Sequence, residues 1–394
     1  MVPRRIALVT GSRADFGHLV GLAKGIAADP DLELQLIVTG AHLSAAHGMT
    51  VKEIEAEGLS IAARAPIPLA QDNNAVVAHA TGEAVSGIAD AYEKLAPDLA
   101  VVLGDRFEIL AAAVAALVMR VPLVHIHGGE VTTGAFDDSI RHAISKMASL
   151  HLVAAEPYRR RLIQMGEASD RVHNVGAPAL EMIRNETRLS REALERELDV
   201  TFGRPLVLMT FHPATHAAQG AERELESLLQ ALDGFPDITL VITGVNVDPG
   251  SDALRKRITR WGSARKGPTH LFESLGRRRY VSLVALADAM IGNSSSGYIE
   301  GPAFGVPVID VGDRQTGRLA AACIERVAAD ADRIAAALKR AFDPEYKERI
   351  KGCRHPYDAG SFVQRSLGLL KSVPLGPELL RKPFYDLPDI AAAS

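Results

Sequence analysis

The chain has 394 residues, of which 47% are hydrophobic and 5% aromatic, and its net charge is −4. That length exceeds what one core serves, so two domains are expected, and the mixed charge offers no basic surface for nucleic acid or an anionic membrane. Two cysteines, Cys323 and Cys353, lack metal-ligand spacing and fit a reducing compartment. The apolar run Ile6–Val9 is too short for a secretion signal, and nothing approaches the roughly 20 apolar residues of a membrane span. A soluble cytoplasmic protein is expected.

In chain order, short β-branched runs alternate with helical patterns. Ile6–Val9 and Leu34–Val38 each end in Thr-Gly, and His18–Ala28 reads as the helix after the first. Leu99–Leu103 and Leu123–Ile126 read as buried parallel strands joined by an alanine-rich helix, followed by His151–Ala154 and Val172–Val175. A charged stretch, Arg184–Arg204, marks a hinge near residues 180–203. The pattern then restarts with Leu206–Met209, Thr239–Ile242, Ala289–Ile291 and Val306–Val311. Two successive βαβ series imply an α/β fold of two doubly wound domains facing across a cleft. The expected domains are 1–183 and 184–372, the last helix packing back on the first domain. The proline-bearing tail 373–394 is expected to be irregular or docked on the surface.

Ligands of open parallel sheets bind at the carboxyl ends of the strands. There Leu103 leads into Gly104-Asp105-Arg106, and Ile126 into His127-Gly128-Gly129-Glu130, with Asp137 and Asp138 ahead of an apparent helix. Carboxylates, imidazoles and an arginine gathered this way suggest acid–base chemistry. His125 and His127 alternate on a strand and face apart, with His125 expected to be the buried one. In the second half, Ile291 leads into G-N-S-S-S-G-Y-I-E-G-P-A-F-G-V-P, residues 292–307. Backbone N–H groups at that helix start, with Ser294, Ser295, Ser296 and Gly297, suit phosphate oxygens, and Glu300 suits ribose hydroxyls. Each feature also has a plain structural reading. Asp105 and Arg106 could pair to cap a helix, and Asp137 or a serine could be an ordinary N-cap.

Five segments together resemble the hydrolysing UDP-N-acetylglucosamine 2-epimerase family. They are T-G-S-R-A-D-F (10–16), T-G-A-H-L-S (39–44), G-D-R-F-E through D-D-S-I-R-H-A (104–143), F-H-P-A-T (211–215) and G-N-S-S-S-G through D-R-Q-T-G-R (292–318). The resemblance runs in the family's order to about residue 370. It implies a GT-B architecture, no cofactor, no metal, and a homodimer or homotetramer. It also implies conversion of a nucleotide-activated 2-acetamido sugar to the free C2 epimer plus nucleoside diphosphate. UDP-N-acetylglucosamine or a UDP- or GDP-linked 2,4-diacetamido sugar is the expected substrate, which ties the enzyme to precursors of sialic or legionaminic acids.

In such a reaction a base removes the C2 proton as the C1–O bond to the diphosphate breaks, leaving a glycal. Water then adds at C1 while C2 is reprotonated from the other face. Two positioned acid–base groups supply roughly 5–11 kcal/mol of barrier lowering at most, and charge stabilisation of the leaving group must add to that. By resemblance, Asp105 and Asp137 match catalytic carboxylates, and His212 matches a histidine facing phosphates and sugar. Arg13, Arg106 and Arg314 match nucleotide-contacting arginines, Ser294 and Ser295 phosphate ligands, Glu300 the ribose ligand, and Asn246 a polar residue of the cleft. One position departs: several relatives carry glutamate where this chain has His127, so the role falls to His127 or to Glu130. A GT-B glycosyltransferase, a metal-dependent hydrolase and a sugar-nucleotide sensor remain as other classes.

Overall fold

The computed structural model describes residues 2–45, 48–68, 74–131, 136–212, 218–244 and 251–386. It divides into two compact units. Unit 1 holds the chain up to residue 182 together with everything from 357 onward, and unit 2 holds residues 183–356. The expected second domain ran to 372 with its last helix packing back on the first; the chain rejoins unit 1 from Tyr357, so the boundary falls earlier and the helix Phe362–Ser372 lies within unit 1.

Unit 1 is built on a parallel sheet of β1 (Arg4–Thr10), β2 (Leu32–Thr39), β3 (Ile61–Ala65), β4 (Leu99–Leu103), β5 (Leu123–Ile126), β6 (Leu150–Val153) and β7 (Val172–Asn174). Its strand order is β3-β2-β1-β4-β5-β6-β7. Unit 2 carries β8 (Leu206–Thr210), β9 (Thr239–Thr243), β10 (Thr269–Phe272), β11 (Ala289–Gly292), β12 (Val308–Val311) and β13 (Ile324–Val327), in the order β10-β9-β8-β11-β12-β13. Both orders are those of a doubly wound sheet, with the reversal at β1/β4 and at β8/β11.

The central strands are apolar throughout because helices cover both faces. In unit 1, Ile6, Leu8, Val101 and Val124 face one core with Leu19, Leu22 and Phe362, while Ala7, Val9, Ala100 and Val102 face the other with Ile109 and Ala112. Unit 2 repeats the plan, with Val207, Met209 and Leu240 on one side and Leu206, Leu208 and Val241 on the other. The first helix, Arg13–Ala28, starts at a capping box. Ser12 Oγ accepts from the Asp15 amide, and the buried Asp15 carboxylate accepts from the Gly11 and Ser12 amides. The reading that began this helix at His18 therefore missed its first turn.

The last helix is held at both ends. Arg4 Nη1 donates to the Leu370 and Val373 carbonyls, and Glu181 accepts from Ser361 Oγ and the Val363 amide. Beyond it the tail docks. Lys382 Nζ donates to the carbonyls of Ser145 and Lys146, and Phe384 lies under Lys146 Nζ at 4.8 Å. Its anchor is Glu167, 1% exposed, which receives Lys146 (2.6 Å), Lys382 (2.7 Å) and His151 (2.9 Å).

Burial works to raise the pKa of Glu167, but hydrogen bonds from His151, Lys146 and Lys382 outweigh it and hold the carboxyl at about 2. The carboxylate therefore stabilises the fold above the ordinary glutamate range, and the contribution fades as pH falls through about 2. Glu167→Gln is expected to cost on the order of 3 kcal/mol at pH 7. Urea melts of the two proteins at pH 7 and pH 3 check this, since the gap should narrow at the lower pH.

Candidate active site

In unit 1 the site groups lie on the turns that follow β1, β4 and β5. Gly104, at φ +83°, turns the chain out of β4, and Asp105 follows. Asp105 is ion-paired with Arg141, a residue 7% exposed on the helix Phe136–Met147, which also reaches Asp138 at 3.2 Å. Asp137 stands in the first turn of the same helix. Burial pushes its carboxyl up and neighbouring Asp105 pushes the same way, with Arg106 and Arg141 opposing. Two carboxylates thus share one locality, with a buried guanidinium between their elements.

The second cluster follows β5. His125 is fully buried, its Nδ1 on Ser145 Oγ (3.0 Å) and its Nε2 on the Gly104 carbonyl (2.8 Å). Burial drives its pKa down to about 3, so the ring is a neutral brace under the Asp105 turn. His127 adopts φ +66°, uncommon outside glycine, and its Nδ1 meets Glu130 Oε1 at 2.5 Å. A carboxylate there holds the proton on Nδ1 and leaves Nε2 as the ring's working atom. The two following glycines are sterically required. A Cβ at Gly129, for example, would lie 2.5 Å from the Tyr158 carbonyl oxygen.

Arg106 and Arg13 each pair with a glutamate. Arg106 is exposed and donates to Glu108 at 2.6 Å, whose buried carboxyl burial pushes up. Arg13 is also exposed and pairs with Glu53 at 3.1 Å. His42 of the T-G-A-H-L-S segment is buried and joins Thr10 Oγ1 to Thr50 Oγ1, tying the ends of β1 and β2 together.

In unit 2, β8 ends at Thr210 and leads to Phe211 and the buried His212. Asn293, fully buried after β11, clamps that turn: its Oδ1 accepts from the His212 amide (2.7 Å) and its Nδ2 donates to the His212 carbonyl (2.9 Å). The Asn293 carbonyl in turn accepts from Arg314 Nη1 (3.0 Å) and Gln315 Nε2 (2.8 Å). Gly292, at φ +133°, must be glycine, because a Cβ would stand 1.9 Å from the Thr210 carbonyl oxygen.

Beside these turns lies a small pocket lined by Thr210, Gly292, Ser294, Ser296, Gly297 and Asp310 among others. It lies at the start of the helix Ser296–Ala303, whose positive end suits an anion, but the expected Gly297 amide already donates to the Ser294 carbonyl (3.2 Å) and the Ser296 amide to Ser294 Oγ (3.3 Å), because the turn closes on itself. Ser295 is the N-cap residue, without a side-chain cap bond. Tyr280 OH meets Ser296 Oγ. Glu300 Oε2 is buried without a partner among the described residues, and burial raises the carboxyl to about 7. Asn246 lies outside the described residues.

The family model described as UDP-N-acetylglucosamine 2-epimerase matches residues 24–371. The chain belongs to that family. It is an enzyme of this class, built from two Rossmann-like units of the GT-B type. A Campylobacter jejuni protein named GDP/UDP-N,N'-diacetylbacillosamine 2-epimerase (hydrolyzing) is 43% identical over 319 residues, covering 81% of this chain and 83% of its own. The Legionella pneumophila UDP-N,N'-diacetylbacillosamine 2-epimerase (hydrolyzing) is 34% identical over 379 residues, covering 96% and 98%. Among solved structures, the UDP-GlcNAc 2-epimerase from Neisseria meningitidis bound to UDP-GlcNAc has the same fold, with a TM-score of 0.75 at 19% identity over 93% of this chain and 99% of that one.

Among the described residues, no group of three or more histidine, cysteine or acidic side chains could hold a metal ion, and no helix is long and apolar enough to cross a membrane. Arg141, Asn293 and Tyr280 escaped the sequence reading. Only Arg141 left a signal there, being placed three and four residues after Asp138 and Asp137 on one helix face.

Arg141→Met is expected to destabilise the protein by about 3 kcal/mol at pH 7.5, because it leaves Asp105, Asp137 and Asp138 without their shared cation. The loss should shrink at pH 4, where carboxylates begin to protonate. Thermal melts at the two pH values check this.

Proposed function

We propose that the enzyme eliminates a nucleoside diphosphate from a UDP- or GDP-linked 2,4-diacetamido sugar and releases the free C2 epimer. The names of the Campylobacter and Legionella relatives favour this sugar over UDP-N-acetylglucosamine. The observation that carries the chemistry is the oriented His127–Glu130 pair beside a locality of two carboxylates, Asp105 and Asp137.

In this reading Asp105 and His127 are the acid–base groups for the two faces of C2, and Glu130 positions His127 rather than replacing it. The C2 proton passes to one of them as the C1–O bond breaks, and the electron pair of that C–H bond forms the glycal double bond. The other group returns a proton to C2 while water adds at C1. Asp137, with its raised pKa, suits a proton donor. Unit 2 supplies the nucleotide site: the hydroxyls of Ser294, Ser295 and Ser296 beside Gly297 for phosphate oxygens, Glu300 for ribose, and Arg314 and His212 for the departing diphosphate. Arg13 and Arg106 are further nucleotide contacts, supported by the family motif. The nucleotide sugar is the partner, and a homodimer or homotetramer in the cytoplasm is the expected form.

A panel of UDP- and GDP-linked 2-acetamido and 2,4-diacetamido sugars, followed by proton NMR in deuterated water, tests the reading. Free epimer with deuterium at C2 supports it; sugar transfer to an acceptor without C2 exchange would overturn it. In the same assay Asp105→Asn should lower turnover at least about 100-fold while calorimetry shows UDP binding unchanged.

A further inference from the structure

Beside the His127–Glu130 pair stands a residue that no motif singled out. His18 sits on the helix Arg13–Ala28, and its ring centroid lies 6.2 Å from that of His127, with the planes tilted by 48°. At that separation the rings neither stack nor bond directly, yet one hydroxyl could touch both. His18 Nδ1 is buried and has no hydrogen-bond partner among the described residues. An orphaned ring nitrogen carries a desolvation penalty that an aliphatic residue at the same helix position would avoid. His18 differs from a structural histidine such as His151 in standing beside the His127–Glu130 pair.

The surroundings define what the nitrogen can hold. Burial first, then His127, lowers the His18 pKa to about 4, with Asp15 and Glu130 opposing, so the ring is neutral at physiological pH. A neutral imidazole between two acidic neighbours is a poor partner for phosphate. It is a good partner for an uncharged donor or acceptor.

We infer that His18 is a substrate-contacting residue whose Nδ1 hydrogen-bonds an uncharged polar group of the sugar, a hydroxyl or an acetamido group, held against His127. This rests on the reading of His127 as an acid–base group. It adds a contact that recognises the sugar and leaves the nucleotide untouched.

The test compares His18→Leu, which removes the polar atom, with His18→Asn, which keeps one near the place of Nδ1. Each is assayed with the sugar nucleotide that the wild type turns over, and each is titrated with UDP and with that sugar nucleotide by calorimetry. His18→Leu should lower kcat/KM roughly five- to a hundredfold, chiefly through KM, with UDP binding unchanged and partial recovery in His18→Asn. A kcat/KM within about twofold of wild type in His18→Leu overturns the inference. So does UDP binding weakened by the same factor as the sugar nucleotide, or an Asn variant that folds and is as impaired as the Leu variant. If the wild type binds the sugar nucleotide without turning it over, the epimerase reading fails separately. The sugar contact is then read from whether His18→Leu abolishes the extra affinity of the sugar nucleotide over UDP. A wild type that binds neither overturns both. Should His18→Leu fail to fold, as circular dichroism would reveal, His18→Phe takes its place.

Discussion

Everything the enzyme does with a ligand depends on one constraint of parallel sheets. Where the strand order reverses, at β1/β4 and at β8/β11, the chain leaves two neighbouring strands in opposite directions, and the turns cannot close over the gap. The Gly11-Ser12 and Gly104-Asp105 turns flank the first such point, and the Phe211-His212 and Asn293-Ser294 turns flank the second. No separate scaffold is needed to gather the chemistry. Strand order alone brings residues nearly a hundred positions apart into neighbouring turns, and apolar strands packed on both faces keep those turns from drifting.

The turns are then stiffened by groups whose polar atoms are bonded within the protein. His125 is held neutral and buried so that it can grip the Gly104 carbonyl, while Asn293 binds both backbone groups of His212. Arg141 keeps Asp105 and Asp138 in one ionic cluster. In each case a buried polar group is fully occupied by protein, whereas Glu300 Oε2 and His18 Nδ1 are buried and unoccupied. Residue type alone does not make that distinction, since His125 and His18 are both buried neutral imidazoles.

The alternating strand and helix pattern was legible because central strands are apolar on both faces. Leu99–Leu103 and Leu123–Ile126 match β4 and β5 at both ends. Three strands left no trace in the reading: β3, β10 and β13, each at a sheet edge and each partly exposed. Sequences such as Ile324-Glu-Arg-Val lack a continuous apolar run, so periodicity is silent on them. Val306 was read into a strand that begins at Val308, since a Pro-bearing turn precedes it. The polar turns were legible as candidates through motif and position. What each side chain touches was not: the partner of Arg13 is Glu53, 40 positions on, and the His18–His127 approach joins residues 109 positions apart.

The return of the chain to unit 1 has a consequence for synthesis on the ribosome. Unit 2 is inserted between residues 182 and 357, and β1 is tied through Arg4 to carbonyls at Leu370 and Val373. β1 therefore waits for the helix Phe362–Ser372 before its outer partner exists, while unit 2 can complete its sheet earlier. Nascent unit 1 carries an apolar helix face, around Leu19 and Leu22, that its final covering segment reaches only after the whole of unit 2 has been translated.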